Sequence, residues 1–116
     1  MARTPITVVT VPRNAGISIG AGTAGDHTND HSLANDGRTR LLAKNTGGGA
    51  QSITIVTSYT LLGLDLADRV ESVPAGETWE FGPFDASLYG QISDDGNVWI
   101  DIAASTWTFW ATTPGT

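Results

Sequence analysis

Apolar and polar residues alternate along much of this chain in short runs rather than in helical stripes. In residues 51–58, Q-S-I-T-I-V-T-S, Ile53, Ile55 and Thr57 share one face and Thr54 and Val56 the other. Val98, Ile100 and Ile102 oppose Trp99 and Asp101, and Trp107, Phe109 and Ala111 oppose Thr108 and Trp110. A period of two predicts half-buried strands over 51–58, 98–102 and 106–112. Shorter strands are expected at 6–11, 38–44, 69–74, 78–81 and 91–93, with a fragment around Ile17 and Ile19. The leucines at 61, 62, 64 and 66 form a segment broken by Gly63 and punctuated by Asp65 and Asp68.

Turn chemistry divides these runs. Pro12, Asn35-Asp36-Gly37, Gly47-Gly48-Gly49, Pro74-Ala75-Gly76, Gly82-Pro83 and Asp94-Asp95-Gly96-Asn97 each favour a stop or a reversal. The glycine run is expected to join 38–44 and 51–58 as a pair, and 94–97 to form a type I′ turn. Residues 84–89 suit one helical turn with Asp85 as N-cap. Six to eight short strands at this spacing predict an all-β antiparallel β-sandwich or small barrel. Residues 13–36 break the pattern, being rich in Gly, Ala, Asn, Asp and His. They are expected to form an extended arm or long loop. One domain is therefore expected, with a strand and arm over 1–37 and a β-sandwich body over 38–116.

Composition narrows the partners. At 116 residues the chain is long enough for one modest core, and 40% hydrophobic content separates it from disordered acidic chains. Only 16% of residues are charged, so a surface rich in small polar side chains is expected, which suits contact with another protein. The net charge of −6 argues against a nucleic-acid partner, because phosphate binding needs a basic footprint. With no cysteine, neither disulfides nor thiolate chemistry is available. The first residues lack the apolar run of a signal peptide and no stretch reaches a membrane span, so synthesis and retention in a cytoplasm, without a membrane partner, are expected.

Candidate chemistry is sparse. Asp26-His27-Thr28-Asn29-Asp30-His31 would suit zinc or nickel only if its histidines shared a helical turn, and a solvated polar loop is the expected reading. Residues 94–97 lack the alternating ligands and distal Glu of a calcium loop. No Gly-x-Ser-x-Gly elbow occurs, and the Gly20–Gly25 glycines lack the βαβ context of a dinucleotide site. Glu77 and Glu80 straddle Trp79 on a short strand. No catalytic, cofactor or metal residue is assigned, and the chain is not expected to be an enzyme. Of Trp107 and Trp110 one must face the core and the other the surface, and Trp99 opposes the apolar face of its own strand.

Four segments occur in a characteristic order: N-D-G-R-T-R-L-L-A-K-N at 35–45, G-L-D-L-A-D-R-V at 63–70, V-P-A-G-E-T at 73–78 and F-G-P-F-D-A-S-L-Y at 81–89. This series resembles a family of small β-sandwich head-decoration, or capsid cement, proteins of tailed bacteriophages. The resemblance spans about 34–104. The Trp-rich ending and the His/Asp-rich part of the arm depart from the family's pattern. It implies a structural protein on the capsid exterior of a virion, bound to the major capsid protein and to neighbouring copies, with a homotrimer as the common arrangement. Ile6, Val8, Arg13, Ile17, Ile19 and Leu33 are the residues expected to contact the capsid, and Trp99 and Trp110 those expected between subunits. The competing expectations are a glycan stacked on exposed tryptophans, as in a carbohydrate-binding module, and a neck or tail role in the same virion.

Overall fold

The structure, a computed structural model, describes residues 3–58, 60–65, 67–91 and 94–114. In chain order its elements are β1 (Thr4–Pro5), β2 (Val8–Val11), β3 (Thr23–Ala24), β4 (His31–Leu33), β5 (Arg40–Asn45), β6 (Gln51–Val56), β7 (Thr60–Leu61) and β8 (Leu64–Asp65). β9 (Arg69–Val73), β10 (Thr78–Phe81), α1 (Ala86–Tyr89), β11 (Gly90–Gln91), β12 (Asn97–Ile102) and β13 (Trp107–Pro114) complete it. Eleven of the strands make two sheets. One runs β1-β4-β12-β6-β9 with β11 also on β12, and the other runs β10-β5-β13-β2 with β3 also on β13. The remaining two, β7 and β8, form a separate hairpin.

The two sheets make the expected all-β sandwich, and the alternation in sequence explains why. Along β12 every second residue, Val98, Ile100 and Ile102, is buried, and along β13 Trp107, Phe109 and Ala111 are. Leu33, Ile53, Ile55 and Val73 join them from the first sheet, and Leu41, Ala43 and Phe81 from the second. Trp107 stacks on Phe109 at 5.8 Å between ring centres, nearly parallel, so β13 supplies two of the largest buried side chains. Burying such rings contributes about 1.5–3 kcal/mol each.

Three expectations are corrected. First, the glycine run does not pair its flanking strands. β5 pairs with β10 and β13, whereas β6 pairs with β12 and β9, so residues 46–50 cross from one sheet to the other. Asn45 holds this crossing. Fully buried, its side chain donates to the carbonyls of Gly49 (2.8 Å) and Val73 (2.9 Å) and accepts from the Gly47 N–H and the Gln51 amide. Its backbone meets the 74–77 turn, receiving the Gly76 N–H and donating to Glu77 O.

Second, residues 1–37 do not stand apart from the body as strand plus arm. Within them, β1 lies parallel on β4 and β2 parallel on β13, so the opening strand changes sheets around the buried Ile6. β4 sits inside the first sheet between β1 and β12, with all three residues buried. Asn35-Asp36-Gly37 is therefore a crossing between sheets rather than an arm boundary. Asn35 Oδ1 accepts the Gly37 N–H and Asp36 Oδ1 the Arg38 N–H, and Gly37 supplies the positive φ that the reversal requires. These parallel pairs also make the sheets mixed rather than wholly antiparallel.

Third, residues 94–97 do not by themselves close a two-residue hairpin, although both central residues carry the positive φ of the expected type I′ turn. Gln91 pairs with Asn97, so β11 and β12 are joined by a longer loop in which Asp95 and Gly96 both have positive φ. Ile92 and Ser93 of the expected strand, and Leu66 of the leucine segment, lie outside the described residues. The helical turn matches expectation: Asp85 caps α1, its carboxylate accepting the Ser87 N–H at 2.9 Å.

Candidate functional site

At one end of the sandwich the 26–31 cluster is built inward. His31 is fully buried on β4, its ring edge-on to Phe109 at 4.8 Å. Its Nδ1 donates to Thr4 O (3.0 Å) and its Nε2 accepts the Asp26 N–H (2.9 Å), which fixes a neutral tautomer. Burial holds its pKa below the ordinary histidine value, against the Thr4 carbonyl and the charges of Asp26 and Asp30, which raise it, while Arg3 lowers it. Asp26 accepts from the Thr4 hydroxyl and from the Asn29 amide and backbone, which lower its pKa to about 2. Asp30, at φ 58°, receives the Ile102 N–H. The cluster thus ties β1, β4 and β12 together. Among the described residues no group of three or more His, Asp or Glu side chains is placed to hold a metal ion. His27 and Thr28 are exposed in the turn, as expected of a solvated loop, but His31 is buried: sequence spacing alone hid its partners, because Thr4 lies 27 residues away.

The tryptophans divide as their parity requires. Trp107 is core, and its Nε1 has no hydrogen-bond partner among the described residues. Trp99 and Trp110 stand half-buried on the outer faces of the two sheets. The Arg3 guanidinium lies 4.4 Å from the Trp99 ring centre while pairing with Asp101 at 2.6 Å, and Trp99 Nε1 donates to Asp94. Trp110 Nε1 donates to Gly20 O at 3.0 Å. A side chain on Gly22 would meet Trp110, Thr108 and the Phe109 carbonyl at 2.8 Å, so glycine lets the loop lie flat on that ring. Trp79 packs partly on the core, and its indole donates to Glu77. Each of these three rings is thus partly engaged by its own chain.

The residues expected to touch a partner separate clearly. Ile6 and Leu33 are buried in the core and are unavailable to a partner; a β-branched or leucine residue between small polar ones reads the same whether it packs inward or outward. Val8 is half-buried against the core. Arg13, Ile17 and Ile19 lie on the exposed loop over 12–22, with Ile17 49% and Ile19 40% exposed.

The most exposed large apolar residues among the described ones lie outside the residues expected to touch a partner. Leu62, Leu64 and Val70 are 94%, 73% and 59% exposed. They belong to one ribbon. β6 and β9 pair antiparallel, and the 57–68 connection between them carries the β7–β8 hairpin outward, closed at its base by Thr57 N–H donating to Asp68. Leu62 and Gly63 at the tip both have positive φ. Leucine at a left-handed position costs about 1–2 kcal/mol and exposes apolar surface, so two local preferences are broken at one residue. The sequence signal was the leucine-glycine pair where Asn-Gly is the usual turn.

Beside this ribbon lie the 34–39 loop and the 82–89 segment that ends in α1, joined by Ser58 N–H to Leu88 O and by the Asn35 amide to Phe84 O. A shallow cleft of about 420 Å³ there is lined by Gly37, Pro83, Phe84, Asp85 and Ala86. Asp36 beside it is held at about 2, first by the Thr113 hydroxyl and then by the Arg38 N–H. No helix among the described residues is long and apolar enough to cross a membrane. Comparison with family models, curated proteins and solved structures finds no match.

Proposed function

We propose that this chain is a structural virion protein that decorates and stabilises the outer surface of a tailed-phage capsid through non-covalent contact with the major capsid protein and with neighbouring copies, as a homotrimer. The observation that carries the reading is the ordered motif series over 35–89. Those motifs fall at the corners of the fold. Asn35-Asp36-Gly37 and Asn45 make two of the crossings between sheets, the V-P-A-G-E-T turn docks on Asn45, and G-P-F-D-A-S-L-Y places the buried Phe84 and α1. Such a series specifies a rigid body and leaves its surface free to differ. Arg13, Ile17 and Ile19 on the exposed loop, with Leu62 and Leu64 on the hairpin, offer apolar contact area suited to a protein lattice.

Imaging of virions that carry the chain tests this reading. Density for a small β-sandwich on the head exterior, in hundreds of copies, is expected. One or two rings at the neck or tail would instead favour a connector role.

A further inference from the structure

The open flank of the sandwich bears on how copies meet. The opposite flank is closed by the strand that runs from β1 into β2 around Ile6. On the open flank, β9 pairs with β6 on one side and with no strand on the other among the described residues. Its residues are Arg69-Val70-Glu71-Ser72-Val73. Val70 and Ser72 face outward and are exposed, while Arg69, Glu71 and Val73 share the opposite face. Arg69 pairs with Glu71 at 2.5 Å. Val70, where edge-guarding strands carry Lys or Pro, is apolar.

We propose that β9 is a homophilic edge: two copies pair their β9 strands antiparallel about a two-fold axis at Val70. This rests on the capsid reading only in naming a neighbouring copy as the partner. Charge decides the register. Centred on Val70, Arg69 of each copy lies opposite Glu71 of its mate, and the charges alternate in sign along and across the strands. A register centred on Arg69 or on Glu71 sets like charges face to face. A one-residue slip puts Val70 opposite Glu71 and mismatches the two faces. Centring on Ser72 brings Pro74, which has no N–H, into the ladder. One register satisfies all of these conditions, and it is self-complementary, as a two-fold contact must be. A contact of this kind joins neighbouring copies across a lattice whether or not they are also grouped in threes.

The absence of cysteine makes the test direct. Paired residues on a two-fold axis lie about 4.5–5.5 Å apart at Cα, within the span of a disulfide. Under mild oxidation of the purified chain without capsids, Val70→Cys should cross-link at least ~10-fold faster than Ser52→Cys, which is exposed on the adjacent strand. In sedimentation at up to about 1 mM, Arg69→Glu should raise the dimer dissociation constant about 10-fold or more, and Arg69→Glu/Glu71→Arg should restore it. Equal cross-linking at positions 70 and 52, a monomer throughout, or a double variant no better than the single would overturn the proposal. Thermal melts separate loss of pairing from loss of fold. Because no virion is involved, either outcome leaves the location of the chain on the particle to be read separately.

Discussion

Replacing Asn45 by alanine isolates the corner on which two of the sequence motifs meet. The side chain is fully buried and makes two donated and two accepted hydrogen bonds. In the alanine variant Gly49 O, which is exposed, turns to water, and the Gln51 amide keeps the Thr106 hydroxyl at 2.6 Å. The carbonyl of the buried Val73 and the N–H of the half-buried Gly47 have no such substitute. Each stranded group costs about 1–3 kcal/mol, so the expected loss is about 2–6 kcal/mol. A domain of this size has about 5–15 kcal/mol of stability, and the midpoint of thermal unfolding should fall by about 10–20 °C. Urea unfolding followed by tryptophan fluorescence measures it, with Lys44→Ala on the exposed face as a control that should stay within about 0.5 kcal/mol. A loss below about 1 kcal/mol for Asn45→Ala would refute the idea that this side chain holds the crossing.

Acid should weaken the fold in two steps. The folded pKa of His31 lies below its unfolded value near 6.5, so its contribution is complete above that pH and is lost as pH falls through the window beneath it. Asp26 and Asp36, at about 2 when folded, contribute above about 4 and lose that contribution between about 4 and 2. Urea midpoints should therefore drop from pH 7.5 to 5.5 in the parent and stay flat in His31→Gln; a flat parent curve would contradict the buried neutral imidazole. Trp107→Phe should cost less than about 2 kcal/mol, because it removes an unpartnered N–H along with some volume, whereas Trp107→Ala should cost about 3–5 kcal/mol. Leu62→Asn should leave the urea midpoint unchanged or raise it by up to about 1 kcal/mol, since asparagine suits the left-handed tip; a clear loss would mean that Leu62 packs on the body.

What the sequence revealed was local. The faces of β6, β12 and β13, the inward Trp107 against the outward Trp110, and the Asp85 cap all follow from spacing within a few residues. Pairing across the fold did not follow. The glycine run looks the same whether it turns within a sheet or crosses between sheets, and only the distant partners of Asn45 settle which. β1, β3 and β4 are two or three residues long, too short to show a period, and β4 carries a histidine and a serine whose burial depends on Thr4, Asp26 and their neighbours. Among surface features, Arg13, Ile17 and Ile19 lie in the Gly/Ala-rich stretch that interrupts the alternating pattern, and the strand fragment expected at Ile17 and Ile19 does not form. The hairpin was visible only as an awkward cluster of leucines until Leu62 and Gly63 were seen to share one turn.

Location on the particle is the most direct measurement of the proposed role. Cryo-electron microscopy of virions, with and without the chain, should show an eleven-stranded sandwich on the outside of the head, with the loop carrying Ile17 and Ile19 against the major capsid protein, and particles lacking it should lose their contents at lower temperature. Heads with bare exteriors, or particles equally robust without the chain, would contradict it.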